Sequence, residues 1–138
     1  MKEGAAKEFL FFLSKKGMLF PINRIGRWWG TDASKKSSEN QEEIDAVALN
    51  ASTSDILFAE CKWSEKPVGA DVYIDLKRKA KLVNWHNGNR KEHFALFSKS
   101  GFDYETKALS KKEGVLLFDP EAIEQALKGQ YGSQLADA

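Results

Sequence analysis

The chain has a single cysteine, Cys61, so no disulfide can form within it and a cysteine-rich zinc centre has no ligands to draw on. A reducing cytoplasm is the compartment expected for such a chain. Long apolar runs are also missing. The longest is Phe9-Leu10-Phe11-Phe12-Leu13, far short of the roughly 20 residues that span a bilayer. No membrane role is expected, and the acidic, helix-patterned N-terminus does not read as a signal peptide. Charge of one sign is not in excess: 21 Lys and Arg stand against 20 Asp and Glu. A histone-like or polyacidic mode of binding is therefore excluded, although a local basic patch is not. No Gly-rich phosphate loop of the Walker type occurs, so this chain itself is not expected to bind ATP.

What is present reads as one globular domain over residues 1–138, of a size that can bury a core unaided. The helix pattern begins abruptly at the first residues, as in a piece of a longer protein. Helical spacing of Ala5, Ala6, Phe9, Leu10 and Leu13 predicts a helix over 3–16. A strand is expected near 23–29. Residues 31–41 hold no large apolar side chain and read as the solvated segment expected to move most. Two strands, 42–49 and 55–63, flank a turn-rich Asn50-Ala51-Ser52-Thr53-Ser54 and read as an antiparallel hairpin. A helix over 71–86 with an apolar stripe of Val72, Leu76, Ala80 and Val83 follows. Then come a strand (93–98), a helix (102–112), a strand (115–118) and a helix opened by Asp119-Pro120 (120–128). The tail from Gly129 is expected to be loose. The order α-β-β-β-α-β-α-β-α implies an α/β fold: a mixed sheet flanked by helices on both faces.

The hairpin carries the chemical signal. Strand side chains alternate, so Ile56, Phe58, Glu60 and Lys62 share a face. A turn centred between Ser52 and Thr53 pairs Leu49 with Ile56, Val47 with Phe58 and Asp45 with Glu60. Two carboxylates then meet where the apolar face ends, with Cβ atoms about 4.5–5.5 Å apart, and like charges so opposed are destabilising. Lys62, a proton or a divalent cation on oxygen ligands would each offset the repulsion. An ordinary solvated ion pair at a strand end would need no such explanation.

Four stretches together resemble a known family: Ile25-Gly26-Arg27-Trp28-Trp29, Glu43-Ile44-Asp45-Ala46-Val47-Ala48-Leu49, Phe58-Ala59-Glu60-Cys61-Lys62-Trp63 and Phe94 to Phe102. The block is similar to the C-terminal domain of archaeal-type ATPases of unknown function, the DUF234 family. That domain falls in the PD-(D/E)xK, or restriction-endonuclease-like, superfamily. The resemblance covers residues 5–128. It implies a restriction-endonuclease-like fold and a metal-dependent nuclease that hydrolyses DNA with Mg²⁺ or Mn²⁺. The alternative is a non-catalytic DNA- or protein-binding module appended to an ATPase on the same, longer polypeptide.

By that resemblance Asp45 and Glu60 are metal-binding carboxylates, the Cys61 carbonyl is a further ligand, and Lys62 orients or deprotonates water. Glu8 resembles a helix glutamate that some members add to the metal shell. The first motif departs from the pattern, with Ile44 before Asp45 where proline is usual. Residues 74–91 carry a net charge of +5. In the superfamily this helix flanks the site, so Lys77, Arg78, Lys81, Arg90 and Lys91 are candidate contacts to a DNA backbone.

Other residues read as structural. Trp28 and Trp29 suit core and edge packing better than base stacking. Trp63 and Cys61 are expected in the core on the face away from Lys62. His86 and His93 lack metal-ligand spacing and read as surface or capping residues.

Overall fold

The computed structural model of the chain describes residue 1 and residues 3–129. The expected loose tail, past its first residue Gly129, falls outside the described residues. Nine elements follow in the predicted order: α1 (Glu3–Lys15), β1 (Arg24–Thr31), β2 (Gln41–Asn50), β3 (Asp55–Lys62), α2 (Ala70–Ala80), β4 (Lys91–Ser98), α3 (Tyr104–Glu113), β5 (Leu116–Phe118) and α4 (Pro120–Leu127). The strands form one mixed sheet in the order β1-β2-β3-β4-β5. β1-β2 and β2-β3 are antiparallel, while β3-β4 and β4-β5 are parallel.

β3 lies at the centre of the sheet, and its residues from Asp55 to Glu60 are all buried. Leu57 and Ala59 face α1 and α4, against Phe9, Leu10, Leu13 and Ala126. Ile56 and Phe58 face α2, against Tyr73, Leu76 and Ala80, with Leu109 of α3 alongside. Burial on both faces is what a central strand between helix layers requires. The two later helices start where their caps dictate: Asp103 accepts the Thr106 N–H and Asp119 accepts the Ala122 N–H, with Pro120 in the first turn. Among the described residues no helix is long and apolar enough to cross a membrane.

The β2-β3 hairpin has the predicted register, with Asn50 opposite Asp55, Leu49 opposite Ile56 and Val47 opposite Phe58. Two expectations need correction. α2 ends at Ala80 rather than at residue 86. Its backbone winds down through three short-range bonds, Lys81 to Arg78, Leu82 to Lys79 and Val83 to Ala80. Arg90 then gathers the carbonyls at this end: Nη2 adds a second donor to Ala80 O at 2.9 Å, and Nη1 donates to Val83 O at 2.7 Å and Trp85 O at 3.0 Å. Val83 keeps its buried place, but from a turn. Trp63 is 37% exposed rather than in the core. β3 stops at Lys62, so the alternation that would turn Trp63 inward ends one residue too soon.

Arg90 is therefore a cap that holds the end of α2, with its side chain only 8% exposed and its guanidinium over the Phe58 ring. Arg90→Ala should lower stability to urea by about 2–3 kcal/mol, the range for hydrogen bonds made by a charged group. Arg90→Lys should recover less than half of that, because an ammonium cannot span three carbonyls as a planar fork does. A loss below about 0.5 kcal/mol for Arg90→Ala, the usual level of a neutral surface change, would show that the carbonyls are equally well served by water.

Candidate active site

A bulge builds the site. β1 pairs Gly26 with Val47 and Trp28 with Ile44, so Arg27 alone stands opposite both Asp45 and Ala46. One extra residue in β2 reverses the alternation beyond it. Ala46 and Ala48 face α1, whereas Ile44 joins the α2 face. The β2-β3 ladder ends at Ala46 opposite Ala59, which frees Asp45 from regular pairing. Its Oδ2 accepts the backbone N–H of Cys61 at 2.8 Å, fixing the carboxylate over the end of β3.

Glu60 lies against Asp45, as the hairpin register predicts, and is only 5% exposed. Burial raises its pKa, contact with the Asp45 carboxylate raises it further, and Lys79 opposes both, leaving it pushed up to about 7. Lys79, on α2, is the cation that meets the pair. Its Nζ binds Glu60 Oε1, donates to the Glu43 carbonyl at 2.8 Å and lies 3.8 Å from Asp75. Lys62 is exposed and pairs with no carboxylate among the described residues. It lines a cleft of about 330 Å³ together with Glu60, Asp71, Val72, Asp75 and Lys79.

The structure thus joins Asp45 and Glu60 and places Lys62 in the cleft that Glu60 lines, while Asp45 is not part of that lining. Cys61 points to the α1 face as expected, half-buried against that core. Glu8 does not join. Ala6, Phe9, Leu10 and Leu13 pin α1 to the opposite face of the sheet, and Glu8 is left exposed. Among the described residues no three His, Cys, Asp or Glu side chains gather as a metal centre.

The basic stretch does not form one open face either. Arg78 is engaged by Asp32, Glu42 and Asp75, and Lys77 by Glu113, while Arg90 is turned inward as the cap of α2. Lys81 and Lys91 stay exposed. The bonds from Arg78 also anchor the segment after β1, where Asp32 is 8% exposed, so its start is held rather than loose. His93 bonds Asp55 and His86 contacts Ser54, in keeping with structural roles.

Sequence reasoning missed Lys79. A signal was there: it follows Leu76 by three residues and Val72 by seven, on the edge of the apolar stripe. A lysine so placed must find a carboxylate as its helix is buried.

A family model, DUF234, described as archaeal and bacterial proteins of unknown function, matches residues 2–81. That match runs from α1 to the end of α2 and takes in Asp45, Glu60, Lys62 and Lys79. The chain belongs to the DUF234 family. An uncharacterized protein of Methanocaldococcus jannaschii is 38% identical to this DUF234 chain over 124 residues. The match covers 86% of this chain and 24% of that protein, so the chain spans about a quarter of its curated relative's length. The crystal structure of protein VC1899 from Vibrio cholerae shares the fold: TM-score 0.64 at 14% identity, over 97% of this chain and 33% of that one. A repair endonuclease from Pyrococcus abyssi is similar at TM-score 0.46 and 12% identity, over 83% of this chain and 46% of its own.

The raised pKa of Glu60 has a definite sign. The folded chain keeps this proton up to about pH 7, whereas an unfolded one releases it near 4.5. The stabilising contribution is full below pH 4.5 and is lost as pH rises to 7. The stability of the native chain minus that of Glu60→Gln, from urea unfolding at each pH, should fall across this window by on the order of 3 kcal/mol. A flat difference would show that Lys79 keeps Glu60 ionised throughout.

Proposed function

We propose that this DUF234 domain is a restriction-endonuclease-like, metal-dependent phosphodiesterase acting on DNA. The observation that carries the reading is the contact of Asp45 and Glu60 at the open end of the hairpin, beside a cleft that presents two lysines. Two carboxylates offer an all-oxygen donor set, which suits a hard divalent cation such as Mg²⁺ or Mn²⁺. Burial and the Asp45 carboxylate push the Glu60 pKa up to about 7 against the pull of Lys79, which supports a site that one lysine does not fully neutralise. When bound, the ion would supply Lewis-acid polarisation of a phosphate oxygen and a more acidic water.

The chain's own groups have separable tasks. Asp45 and Glu60 would hold the ion, with the Cys61 carbonyl as the further ligand that the resemblance implies. The Cys61 N–H keeps Asp45 in place. Lys62, exposed at the cleft, has its ammonium available to a non-bridging phosphate oxygen, where it opposes the charge that grows in the transition state. Lys79 is a positioning residue: it holds Glu60 in the cleft and prevents the two carboxylates from driving each other apart.

A second reading keeps the fold without the chemistry, as a DNA- or protein-binding module of a longer ATPase polypeptide. It is favoured by the Lys79–Glu60 ion pair, which satisfies Glu60 without metal, and by the lack of a third acidic ligand among the described residues.

Divalent-ion titration separates the two. Under the nuclease reading Mg²⁺ or Mn²⁺ should raise thermal stability, by about 2.7 kcal/mol at a hundredfold excess over the dissociation constant, and should support nicking of plasmid DNA. Asp45→Asn should remove both effects and leave metal-free stability equal or higher, since an amide oxygen can still accept the Cys61 N–H while the like-charge contact is relieved. No metal-dependent shift and no nicking would leave the binding-module reading.

The lysines give an independent check. Lys62→Met should lower the cleavage rate about a hundredfold or more, as loss of an electrostatic stabiliser does, and leave melting unchanged. Lys79→Met should lower stability by about 1–3 kcal/mol, because the Glu43 carbonyl loses its donor and Glu60 must then be buried with its proton. Equal stability losses for both lysines would mean that the division of roles is wrong.

A further inference from the structure

A second depression lies on the same sheet face as Asp45 and Glu60, past the C-terminal end of α2. It holds about 340 Å³ and is bounded by β1, β2 and the turn after α2. Residues directly opposite each other in an antiparallel ladder share a face. Arg24 is opposite Leu49, and Gly26 is opposite Val47. Leu49, Val47 and Ile56 line the depression, so Arg24 stands over it and Gly26 forms bare floor. A Cβ on Gly26 would meet no heavy atom within 4 Å. The floor is therefore open through the lack of a side chain, with nothing folded over it.

Two indoles line the same space, and each is braced from outside it. The Trp28 ring rests on Gly30 so closely that a Cβ there would stand 2.1 Å from Cζ2. Trp85 stacks on His86 at 3.9 Å with the rings 5° apart. Its backbone is fixed at both ends, the N–H donating to Asn87 Oδ1 and the carbonyl accepting from Arg90. Arg24 is exposed and has no carboxylate partner among the described residues. Rigid aromatic rings, an apolar floor and an unneutralised guanidinium combine the two features that hold a single nucleic-acid strand: π-faces for unpaired bases and positive charge for the backbone.

We propose that this groove binds an unpaired nucleotide of a DNA strand, with the base between Trp28 and Trp85 over Gly26 and the adjoining phosphate on Arg24. The inference rests on the nuclease reading for the substrate's class, and it adds that the substrate has a single-stranded segment. A duplex keeps its bases stacked in pairs and cannot offer one to a groove of this size without first opening. A peptide or a second copy of the chain would fill the apolar floor but would make no particular use of Arg24 beside two indoles.

The test is equilibrium binding of fluorescent oligothymidylate and of a blunt hairpin duplex to the full chain in EDTA, so that cleavage plays no part. Gly26→Phe starts from a Cβ that meets no heavy atom within 4 Å and sends its ring into the open groove, so it should retain the native melting temperature. It should weaken oligothymidylate binding about tenfold or more, as loss of one stacked base does, and change duplex binding less than twofold. Arg24→Glu should weaken oligothymidylate binding and flatten its salt dependence. Trp85→Leu should weaken it, and Trp85→Phe should restore most of it.

Unchanged oligothymidylate affinity in Gly26→Phe and Arg24→Glu would overturn the proposal. So would a native dimer that becomes a monomer in Gly26→Phe, which would make the groove a contact between copies. The outcomes are separable from those of the nuclease reading. Oligothymidylate binding that needs Gly26 bare, in a chain that never nicks DNA with Mg²⁺ or Mn²⁺, would support the groove while the catalytic reading fails. Nicking that survives Gly26→Phe with unaltered oligothymidylate binding would do the reverse.

Discussion

One surplus residue in β2 decides what the rest of this domain can do. With Arg27 opposite both Asp45 and Ala46, the strand crosses from one face pattern to the other within two positions. Ala46 and Ala48 can then lie under α1 while Ile44 fills the α2 side. Asp45 falls at the crossover, outside the β2-β3 ladder, and is caught by the Cys61 N–H. Regular alternation would instead have put Ile44 on the same face as Ala46, beneath α1. The bulge thus does two things: the core on the α2 side gains an isoleucine, and Asp45, which the register sets opposite Glu60, leaves the ladder and is held by the Cys61 N–H.

The charges around that point are organised by α2. Three successive basic residues of its last turns leave in different directions. Lys77 meets Glu113 near the next helix, Arg78 gathers Asp32, Glu42 and Asp75, and Lys79 reaches Glu60 and the Glu43 carbonyl. The helix is thereby tied by side chains to β2, β3, α3 and the segment after β1. Arg78 remains about a third exposed, so its ion pairs are screened and locate the loop more than they stabilise the fold. Lys79 is 12% exposed and its partner less, so that pair has little water to replace it. Breaking it is costly even though forming it gives little net stability.

What could be read from the sequence follows from how local each determinant is. The hairpin register was legible because a five-residue polar turn and two alternating strands leave little choice of pairing. The Asp45–Glu60 contact followed from that register. The cap of α4 was legible for the same reason, since Asp119 acts three residues away. Most of the errors are long-range. Arg90 shortens α2 from ten residues further along the chain, and Lys79 finds Glu60 across 19 residues. Glu8 could not be assigned to a sheet face from its own helix, because the α1 stripe does not reveal which side it covers. Trp63 was misplaced by one position of strand length. The fold depends on patterns that repeat, whereas this site depends on single meetings between segments.

The spatial order of the strands, β1-β2-β3-β4-β5, is also their order along the chain. A mixed sheet often inserts a late strand between early ones, and such a strand must wait for a gap of the right width. Here each strand is added to an edge that its immediate predecessor has just exposed. The entropy cost of each closure is set by one connecting segment, the longest of which carries α2. Assembly can therefore proceed outward from the β2-β3 hairpin in either direction, one connecting segment at a time. No strand has to be inserted between two that are already paired, which is the consequence of that simple order.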